Sequence, residues 1–451
     1  MKVHFVGISG IGISALAKYY LYSGNLVSGS DLIYPQDVFN KKEIKKIKFY
    51  LGHKEDNLKD DIDLVIYSLA ISKENPEIQK ALKLKIPIKS YPEALGEITK
   101  KYFTIAVSGT HGKSTTTAMI SQILIEANFD PLVFIGSKVM GFGIKGEASN
   151  FRYGKNKFLI IEADEYKEGF LNHHPNVIVI TNIEEDHLDY YKNYSNILKA
   201  FKNFVLNLKE EKNFEKILII NKKDKGIKKL IKSKKWLKDN KIKYLFYNTI
   251  KENLVIKLKV PGKHNRENAL AAIKVAEVLN INKKIYLKAL KKFSGIWRRL
   301  EFKGFLNGAR VYDDYGHHPT EIRATLQAAR EILKKNKKLY LVFQPHQYDR
   351  TYRLFNKFLK SFDTADFTMI LDIYDVKGRE NKDIKEKVSS LKLVEKINKK
   401  NVIYIPNFDE CINFLKENLK PNDVCVIMGA GDIFNLTEKM IKMGIINLHI
   451  K

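Results

Sequence analysis

The sequence predicts parallel, doubly wound α/β domains, and three observations carry that prediction. Three times an apolar, strand-like run passes into a glycine turn and then into a helix-like segment. Elsewhere short β-branched runs alternate with helical patterns, the order that βαβ units produce. Finally, 451 residues exceed what one hydrophobic core organises, so two or three domains are expected.

The first strand–turn–helix series covers residues 3–6, 7–12 and a periodic stretch to near Tyr22. The second covers 104–107, 109–112 and 113 to near Glu126; the third covers 424–427, 429–431 and 432 to near Met443. Further strands are expected at 63–67, 158–162, 177–181, 217–221, 339–343 and 367–372. One βα series gives way to another near Tyr91 and Pro92, and again between Phe293 and Trp297, so the domain seams are expected there.

Composition removes several classes of function. A hydrophobic share of 44% beside 29% charged residues is that of an ordinary soluble protein. The longest apolar stretches, such as 176–183, are strand-length and fall short of the roughly 20 residues that span a bilayer. No membrane partner is therefore expected. The apolar N-terminus lacks a small-residue cleavage site, and its regular glycines fit a strand and tight turn. Cys411 and Cys425 lie neither in a CxxC nor beside a histidine cluster, which argues for a cytoplasmic chain without disulfide framework or structural zinc. The net charge of +28 would suit nucleic acid through counterion release. Yet the lysines spread along the whole chain, and the densest runs, 222–235 and 334–338, lack interleaved aromatics. No nucleic-acid partner is expected; the field would instead help gather small anions.

The sharpest chemical signal is the run Ser108-Gly109-Thr110-His111-Gly112-Lys113-Ser114-Thr115 after a strand. Glycines let backbone N–H groups curl around phosphate oxygens, and the helix N-terminus adds positive potential. Lys113 would reach the β- and γ-phosphates and the Ser114 hydroxyl would meet Mg²⁺. The long P-loop pattern wants glycine where Val107 stands, so only a shortened form is present. Two acidic clusters follow at strand ends, 162–165 and 184–189, the latter containing His187. Carboxylates and an imidazole there either hold Mg²⁺ against a phosphate or are solvated loops. Asn265 and Asn268 lie three apart at the start of an alanine-rich helix, facing one ligand or capping the helix. Arg298, Arg299, Asp313 and Asp314 are ambiguous singly. His317 and His318 would point opposite ways in a strand, which argues against a metal there. At the N-terminus Gly7, Gly10 and Gly12 form a GxxGxG turn with Asp31 ending the second strand. That is a weak signal for a dinucleotide and a fair one for a nucleotide diphosphate.

Taken in order, HFVGISGIGISALA, VSGSD, SGTHGKSTTT, EADE, TNIEEDHLDYY, PGKHNRENALAA, RRLE, DDYGHHPTEIRATL, FQPHQYDRT and MGAGDI make the chain resemble the Mur ligase family over essentially its whole length. The shortened P-loop is the form that family uses. The resemblance implies three domains. Residues 1–96 would form a Rossmann-like UDP-sugar-binding domain, 97–296 a P-loop ATPase-like domain with a central parallel sheet, and 297–451 a Rossmann-like domain that brings the amino acid. It implies an ATP-dependent ligase joining L-alanine to the carboxylate of UDP-N-acetylmuramate through an acyl phosphate, in peptidoglycan precursor synthesis. The alternative is a sister activity that attaches a recycled tripeptide. By resemblance Gly7, Gly10, Gly12, Asp31 and His53 would meet the UDP-sugar, and Gly109 to Thr115 the ATP phosphates. Asn265, Asn268, Arg299 and Asp314 would meet the nucleotide. Ser114 and Glu162 would ligate Mg²⁺ and His187 a second Mg²⁺, while Lys113, Glu162 and His187 serve catalysis. His346 and Arg350 would lie near the alanine carboxylate, with Gln347 replacing a commonly basic residue between them. A monomer or weak homodimer is expected.

Overall fold

The computed structural model describes residues 1–212, 214–249, 258–376 and 382–448. Three sheets appear in chain order. The first contains β1 (Lys2–Val6), β2 (Leu26–Asp31), β3 (Ile47–Leu51), β4 (Leu64–Tyr67) and β5 (Ile88–Ser90), arranged 3-2-1-4-5 with every pair parallel. Reversal of strand order beside β1 opens a crevice at the C-terminal strand ends, where ligands of such sheets bind. The turn after β1 is Gly7-Ile8-Ser9-Gly10, so the glycines sit at that crevice.

The second sheet contains β6 (Phe103–Ser108), β7 (Leu132–Val139), β8 (Ser149–Arg152), β9 (Phe158–Glu162), β10 (Val177–Ile180), β11 (Lys216–Ile220) and β12 (Ile242–Phe246). Its order is 12-11-10-6-9-7-8, parallel except where β8 returns antiparallel to β7. The buried runs FTIAVS in β6 and VIVI in β10 show why continuous apolar strands fit here: helices cover both faces of a parallel sheet. The third sheet contains β13 (Glu301–Leu306), β14 (Ala309–Asp314), β15 (Leu339–Phe343), β16 (Phe367–Ile370), β17 (Val402–Tyr404) and β18 (Val424–Met428), ordered 13-14-18-15-16-17. Among the strand pairs of the described residues there, β13–β14 is the antiparallel one, and the others are parallel. Two apolar clusters pack this sheet, one including Cys411 and Cys425 as inert buried thiols.

The described residues fall into two compact units. One takes in Met1–Glu185, Tyr190–Lys257 and Glu267–Ile296; the other takes in Asp186–Asp189, Leu258–Arg266 and Trp297–Lys451. Within the first unit the two sheets are joined through the helix Ile11–Tyr22. Its buried Lys18 donates to Asn150 Oδ1 (2.8 Å) and Ser149 Oγ (3.1 Å), and Asn150 Nδ2 donates to Ser14 Oγ (2.8 Å). A buried ammonium is tolerable only with such partners. Among the described residues no helix is long and apolar enough to cross a membrane.

Candidate active site

β6 ends at Ser108, and the chain must turn sharply to begin the helix Lys113–Glu126. Gly109 has φ +131° and a Cβ there would lie 2.2 Å from Thr181 Oγ1, so only glycine fits. The two residues that follow β10, Thr181 and Asn182, supply the clamp for this loop. The Thr110 and His111 amides donate to Asn182 O (3.1 Å) and Asn182 Oδ1 (2.9 Å), and Thr181 Oγ1 donates to His111 O (2.6 Å). Gly112, at φ +81°, lies under the Asn268 amide, whose Oδ1 would be 2.6 Å from an added Cβ. Asn268 is thereby brought to the loop, on the helix Lys263–Val278.

Lys113 Nζ donates to Gly109 O (2.8 Å) and to both oxygens of Glu165 (2.8 and 3.1 Å), with Asp164 at 3.9 Å. Burial alone would lower its pKa, but Glu165, Asp164 and Glu162 outweigh burial and raise it. Ser114 Oγ donates to Glu162 Oε1 (2.9 Å), and the Gly136 amide donates to Glu162 Oε2 (2.7 Å). Burial pushes the Glu162 carboxyl up, against the pull of Lys113 and these two donors. A hydroxyl and a carboxylate side by side beneath a phosphate-type loop make a hard-oxygen donor set suited to Mg²⁺. The buried carboxylate gains from a cation close by. Thr115 is buried one position further along the helix. Glu165 is the lysine's partner, and in the sequence it is marked by nothing more than its place in the acidic run 162–165.

At the first sheet Gly7 (φ +84°) starts the turn, Gly10 precedes the helix, and Gly12 faces the Tyr91 ring. Asp31 accepts from the Ser9 amide (2.9 Å) and the Leu32 amide (2.7 Å), so its carboxylate already shapes the loop it was expected to serve. His53 sits in a buried cluster around Glu77, a residue the sequence reading missed.

In the second unit Arg350 is buried. Its Nε donates to Asp186 Oδ1 (3.2 Å) and its Nη1 to His346 Nδ1 (3.2 Å), while the His346 ring stacks on Tyr374 at 5.5 Å. Burial would raise the Asp186 pKa, but Arg350, His187, His318 and His317 hold it well below the usual range. His187 has φ +52° and its Nε2 lies 3.7 Å from Asp186 Oδ2. His346 and Arg350 are thus brought together, with Tyr374 and Asp186 as neighbours the sequence did not reveal.

Asn265 Nδ2 donates to Pro261 O (2.7 Å), closing the turn before its helix. Asp314 accepts from the Leu300 amide (2.7 Å) and the Gly316 amide (2.7 Å), and Arg299 donates to Glu321 Oε1 (3.1 Å). Arg298 is buried against Asp313 and Gly429 O, a packing role. His317 and His318 are not on a strand: β14 stops at Asp314, and His318 caps the helix Pro319–Ile332, because Pro319 fits the first helical turn and cannot extend a ladder.

Residues 2–103 match the family profile "Mur ligase family, catalytic domain", 107–276 the "Mur ligase middle domain", and 298–431 the "Mur ligase, glutamate ligase domain". A UDP-N-acetylmuramate–L-alanine ligase of Acetivibrio thermocellus is 40% identical over 462 residues, covering 98% of this chain and 95% of its own. One from Clostridium tetani is 40% identical over 464 residues, covering 98% of each. The crystal structure of the UDP-N-acetylmuramate–alanine ligase of Thermotoga maritima superposes with a TM-score of 0.79 at 28% identity, over 98% of this chain and 99% of that one. A murein peptide ligase from Psychrobacter arcticus shares the fold, with a TM-score of 0.70 at 23% identity over 100% of both chains. Three profiles in the order of the three sheets, and relatives matched from end to end, account for the shortened loop, its lysine and the acidic strand ends together: the chain belongs to the Mur ligase family.

Proposed function

We propose that the chain is an ATP-dependent ligase that joins L-alanine to the carboxylate of UDP-N-acetylmuramate in peptidoglycan precursor synthesis. The observation that carries the reading is the loop Gly109–Thr115 with Lys113, Ser114 and Glu162 gathered at the ends of β6 and β9. Relatives at 40% identity over almost the full length carry the alanine-adding name, whereas the murein peptide ligase structure is 23% identical. That difference favours alanine over a recycled tripeptide.

A carboxylate is a poor electrophile, so it must first accept the γ-phosphoryl group of ATP as an acyl phosphate. The alanine amine then attacks the acyl carbon, and the tetrahedral intermediate collapses with loss of phosphate. Such transfer needs positioning and charge neutralisation more than covalent help. The amides of the glycine loop and the Lys113 ammonium are the groups placed to hold the transferring phosphate. Lys113 must exchange its hold on Glu165 and Gly109 O for phosphate oxygens as ATP binds. Ser114 and Glu162 would hold one Mg²⁺, and His187 is the ligand proposed for a second. When bound, the metal neutralises phosphate charge. Asn268, lying over Gly112, is placed to meet the nucleotide, and Asn265, Arg299 and Asp314 are proposed beside it. Arg350, fixed between Asp186 and His346, offers a guanidinium to the alanine carboxylate. Gly7, Gly10 and Gly12 are proposed at the UDP diphosphate, with Asp31 and His53 at the nucleoside. This divides the labour among residues 1–96, 97–296 and 297–451.

Phosphate release from ATP and Mg²⁺ with UDP-N-acetylmuramate, assayed with L-alanine, L-serine, glycine and a tripeptide in turn, tests the reading. Release that depends on L-alanine is expected. Release driven only by the tripeptide, or by none of the amines, defeats it.

A further inference from the structure

Glu77 lies in the first turn of the helix Pro76–Lys83 yet is entirely buried, facing groups from three other segments of the first domain. Burial pushes its carboxyl up, but donors from His4, His53, Ser30 and Asn57 outweigh that and hold it well below the usual range, as a carboxylate. A carboxylate only accepts, which fixes every proton around it. His4 Nε2–H donates to Oε2 (2.8 Å), so His4 Nδ1 takes the Ser28 hydroxyl proton (2.9 Å). The Lys54 amide (3.1 Å) and Asn57 Nδ2 (2.8 Å) donate to Oε1. Ser30 spends its one proton on Oε2 (2.6 Å). Its oxygen also lies 3.0 Å from His53 Nδ1 and can only accept there, so the neutral His53 ring carries its single proton on Nδ1. Nδ1 also faces Glu77 Oε1 at 3.4 Å. The other ring nitrogen, Nε2, is buried and has no hydrogen-bond partner among the described residues.

We propose that Glu77, acting through Ser30, is a positioning residue that locks His53 into the tautomer whose bare Nε2 accepts the imide N3–H of uracil, and so selects uridine over cytidine nucleotides. The inference rests on the reading that this domain holds the UDP-sugar. Uracil presents N3–H as a donor; cytosine presents a bare N3. A lone pair on Nε2 therefore pairs with the first and repels the second. Because a buried acceptor facing another acceptor goes unpaired, the discrimination is substantial.

The relay makes a directional prediction for Glu77→Gln. The new amide NH₂ has to replace one oxygen. Oε1 faces the Lys54 backbone N–H, which cannot turn round, whereas Oε2 faces a rotatable hydroxyl and a histidine that can change tautomer. The NH₂ group therefore takes the Oε2 place and donates to Ser30. Ser30 then donates to His53 Nδ1, which moves the His53 proton to Nε2. The site now offers a donor and matches cytosine.

Binding of UDP, CDP and 2′-deoxy-UDP to the full-length protein and to Glu77→Gln, measured by calorimetry, tests this. The native chain is expected to prefer UDP to CDP, and the variant to lose roughly 10-fold or more of that preference or to reverse it. The UDP to 2′-deoxy-UDP ratio should stay constant. A general loosening of the domain would weaken all three ligands and leave the ratios alone, which overturns the relay while the nucleotide reading stands. A change confined to the 2′-deoxy ratio would assign Nε2 to the ribose hydroxyl and overturn the base assignment. Native protein that binds neither UDP nor CDP would remove the reading itself. Should the variant fail to fold, ¹⁵N-histidine spectra of the native chain, with His53 assigned by His53→Gln, report the tautomer directly. A protonated Nε2 would end the proposal.

Discussion

Gly109→Ala is the most exacting test of the phosphate loop, because its two costs can be taken separately from the geometry. At φ +131° the residue occupies a region that an alanine enters at about 1–3 kcal/mol. The added Cβ would also stand 2.2 Å from Thr181 Oγ1 and 2.9 Å from Asn182 O. Those atoms hold the loop, since Thr181 Oγ1 donates to His111 O and Asn182 O accepts from the Thr110 amide. They cannot retreat without releasing it, and overpacking of this kind costs about 1–3 kcal/mol more. If the strain is relieved by displacing the loop, the total of roughly 2–6 kcal/mol appears as lost ATP affinity, about 30-fold to about 10⁴-fold. Calorimetric titration with ATP and Mg²⁺ measures it, and titration with UDP is the internal control, because the Gly7 turn belongs to a different sheet. Adding Thr181→Ala removes the nearest obstacle but leaves the Asn182 carbonyl, so only part of the affinity returns. ATP binding in Gly109→Ala equal to that of the native chain would refute the loop's role. Loss of both ligands together would show that the domain had unfolded.

Other perturbations follow from the same geometry. Lys113→Ala is expected to abolish phosphate release while UDP binding persists; loss of UDP binding in a folded variant would contradict the division between the first two domains. Arg350→Lys keeps the charge but loses the planar fork shared by Asp186 and His346, so KM for L-alanine should rise by roughly 10-fold with a smaller change in kcat. An unaltered KM would remove Arg350 from the amino-acid site. Burial pushes His264 and His317 each down to about 4. The folded chain therefore refuses protons that the unfolded chain takes up below about pH 6.5, and stability falls from there toward pH 4 by at most about 1.4 kcal/mol per pH unit for each group. Asp186 is held down instead, so its contribution is lost only below about pH 3.8, after the histidine window. Thermal unfolding across pH 7 to 4.5 should show the decline, flattened in His317→Asn; an identical slope in that variant would contradict the assignment.

Much of the fold was legible because its determinants are local. A strand, a glycine turn and a helix occupy about twenty consecutive residues, and each of the three such series lies in its own sheet, at β1, β6 and β18. The loop that gathers Lys113, Ser114 and its glycines was legible for the same reason, because the strand, the turn and the helix start that build it are neighbours in sequence. The pairing of Ser114 with Glu162 was also within reach, since an acidic residue at the end of a strand beside the loop strand is where a metal ligand belongs.

What escaped were charges whose partners arrive from far along the chain. Glu77 looks like an ordinary first-turn glutamate after Asn75 and Pro76, and nothing in its neighbourhood signals burial. Its partners His4 and Ser30 lie 73 and 47 residues earlier, on the paired strands β1 and β2, and meet it only in the folded chain. Glu165 and Asp186 were visible as acidic residues but not as the partners of Lys113 and Arg350, 52 and 164 residues away. These residues do not touch phosphate or carboxylate in the proposed chemistry; they decide which way the residues that do are turned and which protons they carry. A buried cation or imidazole needs a fixed counter-group, because an unpaired one would shift its pKa and leave. The sequence names the groups proposed to meet substrate, while the fold determines the state in which they would meet it.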